Sequence, residues 1–374
     1  MADNYKTLTL HWKYGTGRIM GEYGQNGNLP VRNFNGGPFP GAEKISAVTL
    51  CENYLEKMGS CYGCPIRCKK IVRRVGNVQV NPEYGGPEYE TLAAFGSNCG
   101  IDDLAAIVKA HEYCNRFGLD TISTGGAISF AMECFENGMI TREDTGGLEL
   151  SLGSSAAMLT MIKRIARREG LGDLLAEGTR RAAKQLGKGS EAFAMQVKGA
   201  EIPMHEPRLK QPLGLHYSIH AGGADHCTGL HTVAFLSQNS AAKLRGGSIT
   251  GHLVNHLGVC KFVPWKMGQY AEAISFITGW DVTPHELTQT VDRGITLMRL
   301  FNLREGFTMK DDTLPQRFNQ TPHDSPLKGM DTEQFARCRR DYYQLQGWDE
   351  TGIPKKSTLK RLDIGWAASL LPGL

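Results

Sequence analysis

Three cysteines stand close together in the run Cys61-Tyr62-Gly63-Cys64-Pro65-Ile66-Arg67-Cys68. Thiolates at C-x2-C-x3-C spacing converge on one small volume and are soft ligands for iron or zinc. Gly63 and Pro65 favour a turn, which leaves backbone N–H groups free to point at sulfur. Arg67, Lys69 and Lys70 would offset the negative charge of a cluster. A cubane iron–sulfur cluster takes four thiolates, and the fourth can be distant in sequence. A zinc site and plain buried thiols are the other readings of the same residues. The spacing is the reverse of the C-x3-C-x2-C run of radical enzymes that use S-adenosylmethionine, which argues against that chemistry.

A fourth thiol stands at Cys260, in Asn255-His256-Leu257-Gly258-Val259-Cys260. This run echoes Asn115-Arg116-Phe117-Gly118-Leu119-Asp120. Both read Asn-x-x-Gly-aliphatic-(Cys/Asp). Glycine after a helix is common, so each half alone reads as a helix cap. Together with the triplet, the pair suggests two related turns facing one ligand.

These residues need elements to hold them. The 374 residues suffice for two or three domains, and 41% hydrophobic with 21% charged residues argues against disorder. A net charge of +4 is too weak to single out nucleic acid. No apolar run approaches the ~20 residues of a membrane helix, and Met1-Ala2-Asp3-Asn4-Tyr5-Lys6 lacks an apolar signal core. A cytoplasmic location is therefore expected, where clustered cysteines read as metal ligands before disulfides.

Residues 1–60 are rich in Gly and Asn and read as an extended, wrapping segment, with a short helix near Leu50 and Tyr54. From Asp102 the apolar period turns helical and stops at Gly118. Further helices are expected over 124–138, 154–169 and 172–186. Pro203, Pro207, Pro212 and Gly222-Gly223 imply that 198–232 is a long irregular segment, which in a compact domain is usually functional. Thr283-Pro284-His285-Glu286 is a capping box with Pro at the first helical position, and Phe335, Cys338, Tyr342 and Leu345 mark a later helix face. Few segments alternate, and no βαβ rhythm is present. The class is all-α and multihelical, with two helical lobes and long irregular cofactor-facing segments. Residues 1–198 would carry the triplet and the first turn; 199–374 would carry the second turn and Cys260.

His205, His216, His220 and His231 crowd the irregular segment. His216 and His220 have the His-x3-His spacing that pairs side chains on a helix face, but the stretch from Pro212 to Gly222 reads as too short for a stable helix. Glu206-Pro207-Arg208 reads as an ion-paired turn. Cys99, Cys114, Cys134 and Cys338 read as core, and Cys227 lies beside His226.

The triplet and the paired turns, with Leu29-Pro30-Val31-Arg32-Asn33-Phe34, Gly86-Pro87-Glu88-Tyr89-Glu90, Gly118-Leu119-Asp120-Thr121-Ile122-Ser123, Gly223-Ala224-Asp225-His226 and Tyr343 through Pro354, resemble the aldehyde ferredoxin oxidoreductase family. The resemblance covers nearly the whole chain and is to the second and third domains. Most of the family's N-terminal domain, which covers the tungstopterin, has no counterpart here.

The resemblance implies a multihelical fold and a mononuclear tungsten (or molybdenum) bis-pterin. It implies a [4Fe–4S] cluster on Cys61, Cys64, Cys68 and Cys260, and electron transfer to ferredoxin. The reaction implied is oxidation of aldehydes to carboxylic acids. Pterin contacts are expected from Asn115, Gly118, Leu119 and Asp120 and from Asn255, Gly258 and Val259. Asn115 and Asn255 stand where the family often has Asp, which keeps an acceptor oxygen but loses charge. Glu88 and His226 are the candidate proton-handling residues, with Glu90 behind them; a carboxylate in the first turn of a helix is the structural alternative for Glu88. Expected partners are ferredoxin and a separate polypeptide supplying the covering domain, with a homo-oligomer left open. Without that domain, this chain alone is not expected to oxidise aldehydes efficiently. A related reductase of aromatic thioesters, a non-catalytic iron–sulfur electron-transfer or scaffold subunit, and a zinc-stapled helical interaction protein are the competing readings.

Overall fold

A computed structural model describes residues 11–371. The chain divides into two compact units: residues up to Leu209 with Pro315–Gly329, and Lys210–Leu314 with Met330–Leu374.

The first unit runs through α1 (Met20–Asn26), α2 (Ala47–Tyr54), β1 (Leu55–Gly59), β2 (Lys69–Val72), and the two-residue strands β3 (Arg74–Val75) and β4 (Val78–Gln79). It continues with α3 (Tyr89–Phe95), α4 (Leu104–Phe117), α5 (Thr121–Glu136), α6 (Ser155–Arg167), α7 (Leu171–Leu175) and α8 (Thr179–Leu186). It closes with β5 (Gln196–Val197) and β6 (Ala200–Glu201). The strands form three antiparallel pairs, β1–β2, β3–β4 and β5–β6, so the architecture is mostly helical with small hairpins attached.

Local chemistry sets the helix bounds. Asp103 caps α4 by accepting from Ala106 N–H at 3.0 Å. Asp120 caps α5 by accepting from Ser123 N–H at 2.7 Å, which starts that helix three residues ahead of the apolar period. Ser154 caps α6, whose Met158, Met161, Ile162 and Ile165 form one buried stripe. The helix expected over 172–186 is broken in two, because Gly178 between α7 and α8 takes φ +80°. The expected wrapping segment is not uniformly extended: a 3-10 turn over Thr16–Ile19 leads into α1.

The second unit comprises α9 (Gln211–Ile219), α10 (Ser240–Leu257), α11 (Met267–Thr278), α12 (Pro284–Arg304), α13 (Thr332–Gln346) and α14 (Lys356–Arg361). The capping box of α12 is formed: Glu286 N–H donates to Thr283 Oγ1 at 3.2 Å and Thr283 N–H to Glu286 Oε2 at 2.9 Å. Leu244, Leu253, Val291, Tyr343 and Trp348 share one core. The expectation that 198–232 is irregular throughout is corrected by α9. Pro212 sits in its first turn, where its missing N–H costs no hydrogen bond, so a nine-residue helix forms and is buried along its whole length. No helix among the described residues is long and apolar enough to cross a membrane.

Candidate functional site

The cysteine triplet lies on the loop of the β1–β2 hairpin. That hairpin is antiparallel, with Gly59 opposite Lys69, so residues 60–68 form its tip. Cys64 N–H donates to Cys61 O at 3.1 Å, closing a tight turn. Gly63 and Arg67 hold φ +64° and +52°, which curls the loop back on itself. Cys61 is exposed and Cys64 and Cys68 are half-buried, and none of the three is in a disulfide. Ile66 is the loop's one buried apolar side chain. Thiols gathered on such a loop suit a group that orders the loop by binding it.

Lys70 does not serve as a free countercharge beside the thiols. Its side chain is 0% exposed, and its ammonium donates to Glu88 Oε1 at 2.5 Å. The other Glu88 oxygen accepts from Thr16 N–H at 2.8 Å and from Thr16 Oγ1–H at 2.5 Å. Glu88 is the residue immediately before α3, and its side chain makes no cap to that helix. Instead it ties β2 to the Gly15-Thr16-Gly17 segment, with 40% of the carboxylate side chain still exposed. Gly15 holds φ +68°, and a Cβ there would lie 2.4 Å from Lys70 Nζ and 3.1 Å from Cys68 O. Backbone conformation and close approach thus both demand glycine over this pair. Arg67 and Lys69 remain exposed next to the thiols.

The two Asn-x-x-Gly turns are built alike. In α4, Gly118 takes φ +70° with its N–H on Asn115 O, and Leu119 N–H donates to Cys114 O at 2.8 Å. In α10, Gly258 takes φ +65° with its N–H on Asn255 O, and Val259 N–H donates to Val254 O at 2.9 Å. Each is a left-handed helix stop. Each also leaves its Asn and Gly exposed, its aliphatic residue half-buried and its sixth residue, Asp120 or Cys260, exposed. A Cβ on either glycine would meet nothing within 4 Å, so the positive φ, not crowding, requires Gly. Cys260 Sγ accepts from Phe262 N–H at 3.4 Å, the kind of N–H···S contact that steadies a thiolate.

In the second unit, Asp225, His226 and Cys227 follow Gly222-Gly223. Asp225 accepts from Cys227 N–H at 3.0 Å, from Thr228 N–H at 2.8 Å and from the Thr228 hydroxyl. Burial alone would raise its carboxyl, but the nearby His216 and His220 and the hydrogen bonds from Thr228 hold it well below the usual range. His226 lies 3.7 Å from Cys227 Sγ, and its carbonyl accepts from His231 Nε2–H at 2.5 Å. Burial, with His216 and His220 nearby, pushes His252 of α10 down to about 3.

Two features escaped sequence reasoning. Arg32, Asn33 and Phe34 take φ +48°, +54° and +59°, a left-handed turn of three non-glycine residues. At about 1–2 kcal/mol each, this strain needs external support. Arg317 Nη1 donates to Asn33 O at 2.6 Å, Arg208 Nη2 donates to Phe34 O at 2.7 Å, and Asn33 Nδ2 donates to Glu133 Oε2 at 2.6 Å. Arg208 is also paired through two nitrogens with Glu206, at 2.7 and 2.9 Å, the ion-paired turn expected there. Second, Glu90 faces inward, away from any role as an open base: Met204 N–H donates to its Oε2 at 2.7 Å, and His205 Nε2 lies 3.1 Å from its Oε1.

The remaining cysteines separate from the triplet by environment. Cys99, Cys114, Cys134 and Cys338 are buried. Burial pushes the Cys114 and Cys134 thiols up to about 12, which keeps them protonated and inert.

The chain matches the family described as aldehyde ferredoxin oxidoreductase, domains 2 and 3, over residues 1–364. It is 35% identical over 372 residues to the tungsten-containing aldehyde ferredoxin oxidoreductase of Pyrococcus furiosus, covering 94% of this chain and 60% of that protein. It is 32% identical to an aliphatic sulfonate oxidoreductase, WOR-like subunit, of the same organism, covering 96% and 59%. The chain thus spans about three-fifths of the length of these curated relatives. Its fold resembles a chain of the active-site complex BamBC of benzoyl coenzyme A reductase, with a TM-score of 0.73 at 19% identity, covering 93% of this chain and 59% of that one. With the three-thiol hairpin loop and the twin helix stops in place, these matches show that the chain belongs to the aldehyde ferredoxin oxidoreductase family, in its domains 2 and 3.

Proposed function

We propose that this chain forms the cluster-bearing, pterin-contacting part of a tungstopterin oxidoreductase that converts aldehydes and water to carboxylic acids and passes two electrons to ferredoxin. The observation that carries this reading is the placement of three thiols, none of them in a disulfide, on one hairpin tip while four other cysteines are buried. Cys61, Cys64 and Cys68 would hold a [4Fe–4S] cluster, with Cys260 as the fourth thiolate, and that donor set fits the group. Asn115, Gly118, Leu119 and Asp120 of the first turn, and Asn255, Gly258 and Val259 of the second, would contact the paired pterins through exposed side-chain amides and backbone. When bound, the metal–pterin supplies two-electron redox chemistry and the cluster supplies one-electron steps.

The chain's own residues would manage protons. Glu88 would accept the proton released as water adds to the carbonyl carbon. Lys70 and Thr16 hold the carboxylate in one orientation through three hydrogen bonds, so Lys70 is a positioning residue. His226 would donate to the carbonyl oxygen as charge builds there.

In a tungsten-loaded enzyme, Glu88→Gln keeps the shape and the Thr16 contacts but removes the base. Aldehyde-dependent reduction of a low-potential dye is expected to fall by about 10²–10⁴-fold, with tungsten content unchanged. Near-parental turnover would leave Glu88 as the structural tie between β2 and residues 15–17.

A further inference from the structure

Three imidazoles converge in the second unit. His216 and His220 stand one turn apart at the C-terminal end of α9, and His252 comes from α10. Their ring centroids are 5.2, 5.6 and 6.1 Å apart, and one ring nitrogen from each lies within 4.8 Å of the other two. His216 and His252 are buried, and His220 is half-buried. Such packing is costly unless something bridges the lone pairs, because protonated rings repel and neutral ones lose solvation.

The proton positions favour a cation. The Thr228 hydroxyl donates its single hydrogen to Asp225, so at 2.9 Å it must accept from His216 Nε2–H. In the neutral ring His216 Nδ1 is therefore the unprotonated nitrogen, and the Asp225–Thr228 chain fixes the ring's orientation as an outer-sphere carboxylate does for metal-bound histidine. His220 Nδ1 accepts a long hydrogen bond of 3.2 Å from Gly222 N–H, so it too carries a lone pair, and ligation would replace that bond. His252 has no carboxylate beside it among its nearest charged groups other than Asp225; its other electrostatic neighbours are His216, His220 and His256.

A second observation points to a ligand. The three imidazoles line a narrow cleft with Met298, Arg299 and Trp348. Trp348 and Arg299 are 1% and 2% exposed, yet among the described residues Trp348 Nε1 and Arg299 Nη2 have no hydrogen-bond partner. Two buried donors beside three nitrogen acceptors suit a cation that brings a water or a small anion with it.

We propose that His216, His220 and His252 form a three-imidazole site for a divalent transition cation of zinc's class, separate from the cysteine cluster, with a water or small anion as its fourth ligand. Metal–nitrogen bonds of about 2.0–2.1 Å place tetrahedral ligand nitrogens about 3.3 Å apart, within reach of modest side-chain rotation from the observed spacing.

The test uses the full chain carrying Cys61→Ser, Cys64→Ser, Cys68→Ser and Cys260→Ser, so that zinc held by thiolates is not counted, titrated with Zn²⁺ and separately with Co²⁺. One Zn²⁺ per chain is expected, and the Co²⁺ form should show ligand-field bands of a nitrogen and oxygen site without sulfur-to-cobalt charge transfer. His252→Gln is expected to weaken Zn²⁺ binding at least 100-fold, Thr228→Val by about 10–100-fold, and His256→Gln not at all. If His252→Gln does not fold by circular dichroism, His220→Gln, at the half-buried position, carries the same expectation. Failure of the chain with these four serines to bind either ion, or undiminished binding by folded His252→Gln or His220→Gln, overturns the site.

Discussion

With Cys61, Cys64, Cys68 and Cys260 as the proposed cluster ligands, a chain carrying Cys64→Ser, purified without oxygen, is expected to hold at most a labile remnant of a four-iron cluster. A serine oxygen is a hard, weakly acidic ligand where iron–sulfur chemistry wants a soft thiolate. The hairpin tip gives little else to replace it. Ile66 is the tip's one buried apolar side chain, and a hydrogen bond from Cys64 N–H to Cys61 O closes its turn. Loss of the cluster should therefore also loosen residues 60–68, seen as faster amide exchange there than in α4. Cys134→Ser is the control: that thiol is buried and held protonated, so the variant should lose some stability and keep its iron. Iron retained in full by Cys64→Ser and lost in Cys134→Ser would reverse the assignment.

Arg208→Ala is expected to cost about 3–5 kcal/mol, the loss typical of a buried ion pair left with one charge. Arg208 and Glu206 are 1% and 3% exposed, so water cannot replace the missing partner. The same guanidinium also donates to Phe34 O, and so secures the left-handed turn at 32–34. Arg208→Lys should recover only part of this, since an ammonium cannot make the two-pronged contact with Glu206. Removing both charges, in Glu206→Gln with Arg208→Met, should be milder than Arg208→Ala alone. The measurement is the denaturation midpoint of the transition that reports the first unit. A shift of less than about 1 kcal/mol would place the pair with surface ion pairs in its energetics.

What could be read from the sequence was what short-range chemistry decides. The triplet was legible because a turn of eight residues brings its thiols together in almost any fold. The two helix stops were legible because a left-handed helix stop favours glycine on local grounds alone. The capping box at Thr283 was legible for the same local reason. Four things were not. Lys70 reads as one more cation beside the thiols, and only the pairing of β1 with β2 sinks its ammonium against Glu88. His252 lies 32 residues from His220 with no spacing signal between them, and α10 alone brings it to α9. The helix at Gln211–Ile219 was obscured by Pro212, which breaks helices in their interior but starts them well. The strain at Arg32–Phe34 carries no residue signature at all, because arginine and phenylalanine are held left-handed there by arginines distant in sequence.

The most direct test is iron and acid-labile sulfide analysis of the unmodified chain, prepared anaerobically with tungstate, together with its visible absorption before and after reduction. About four irons and four sulfides per chain are expected, with a brown colour that bleaches on reduction, and tungsten in the same preparation when the pterin is supplied. Zinc at the three histidines would not conflict with this. Zinc bound by thiolates, with no iron and no bleachable absorption after anaerobic reconstitution, would contradict it.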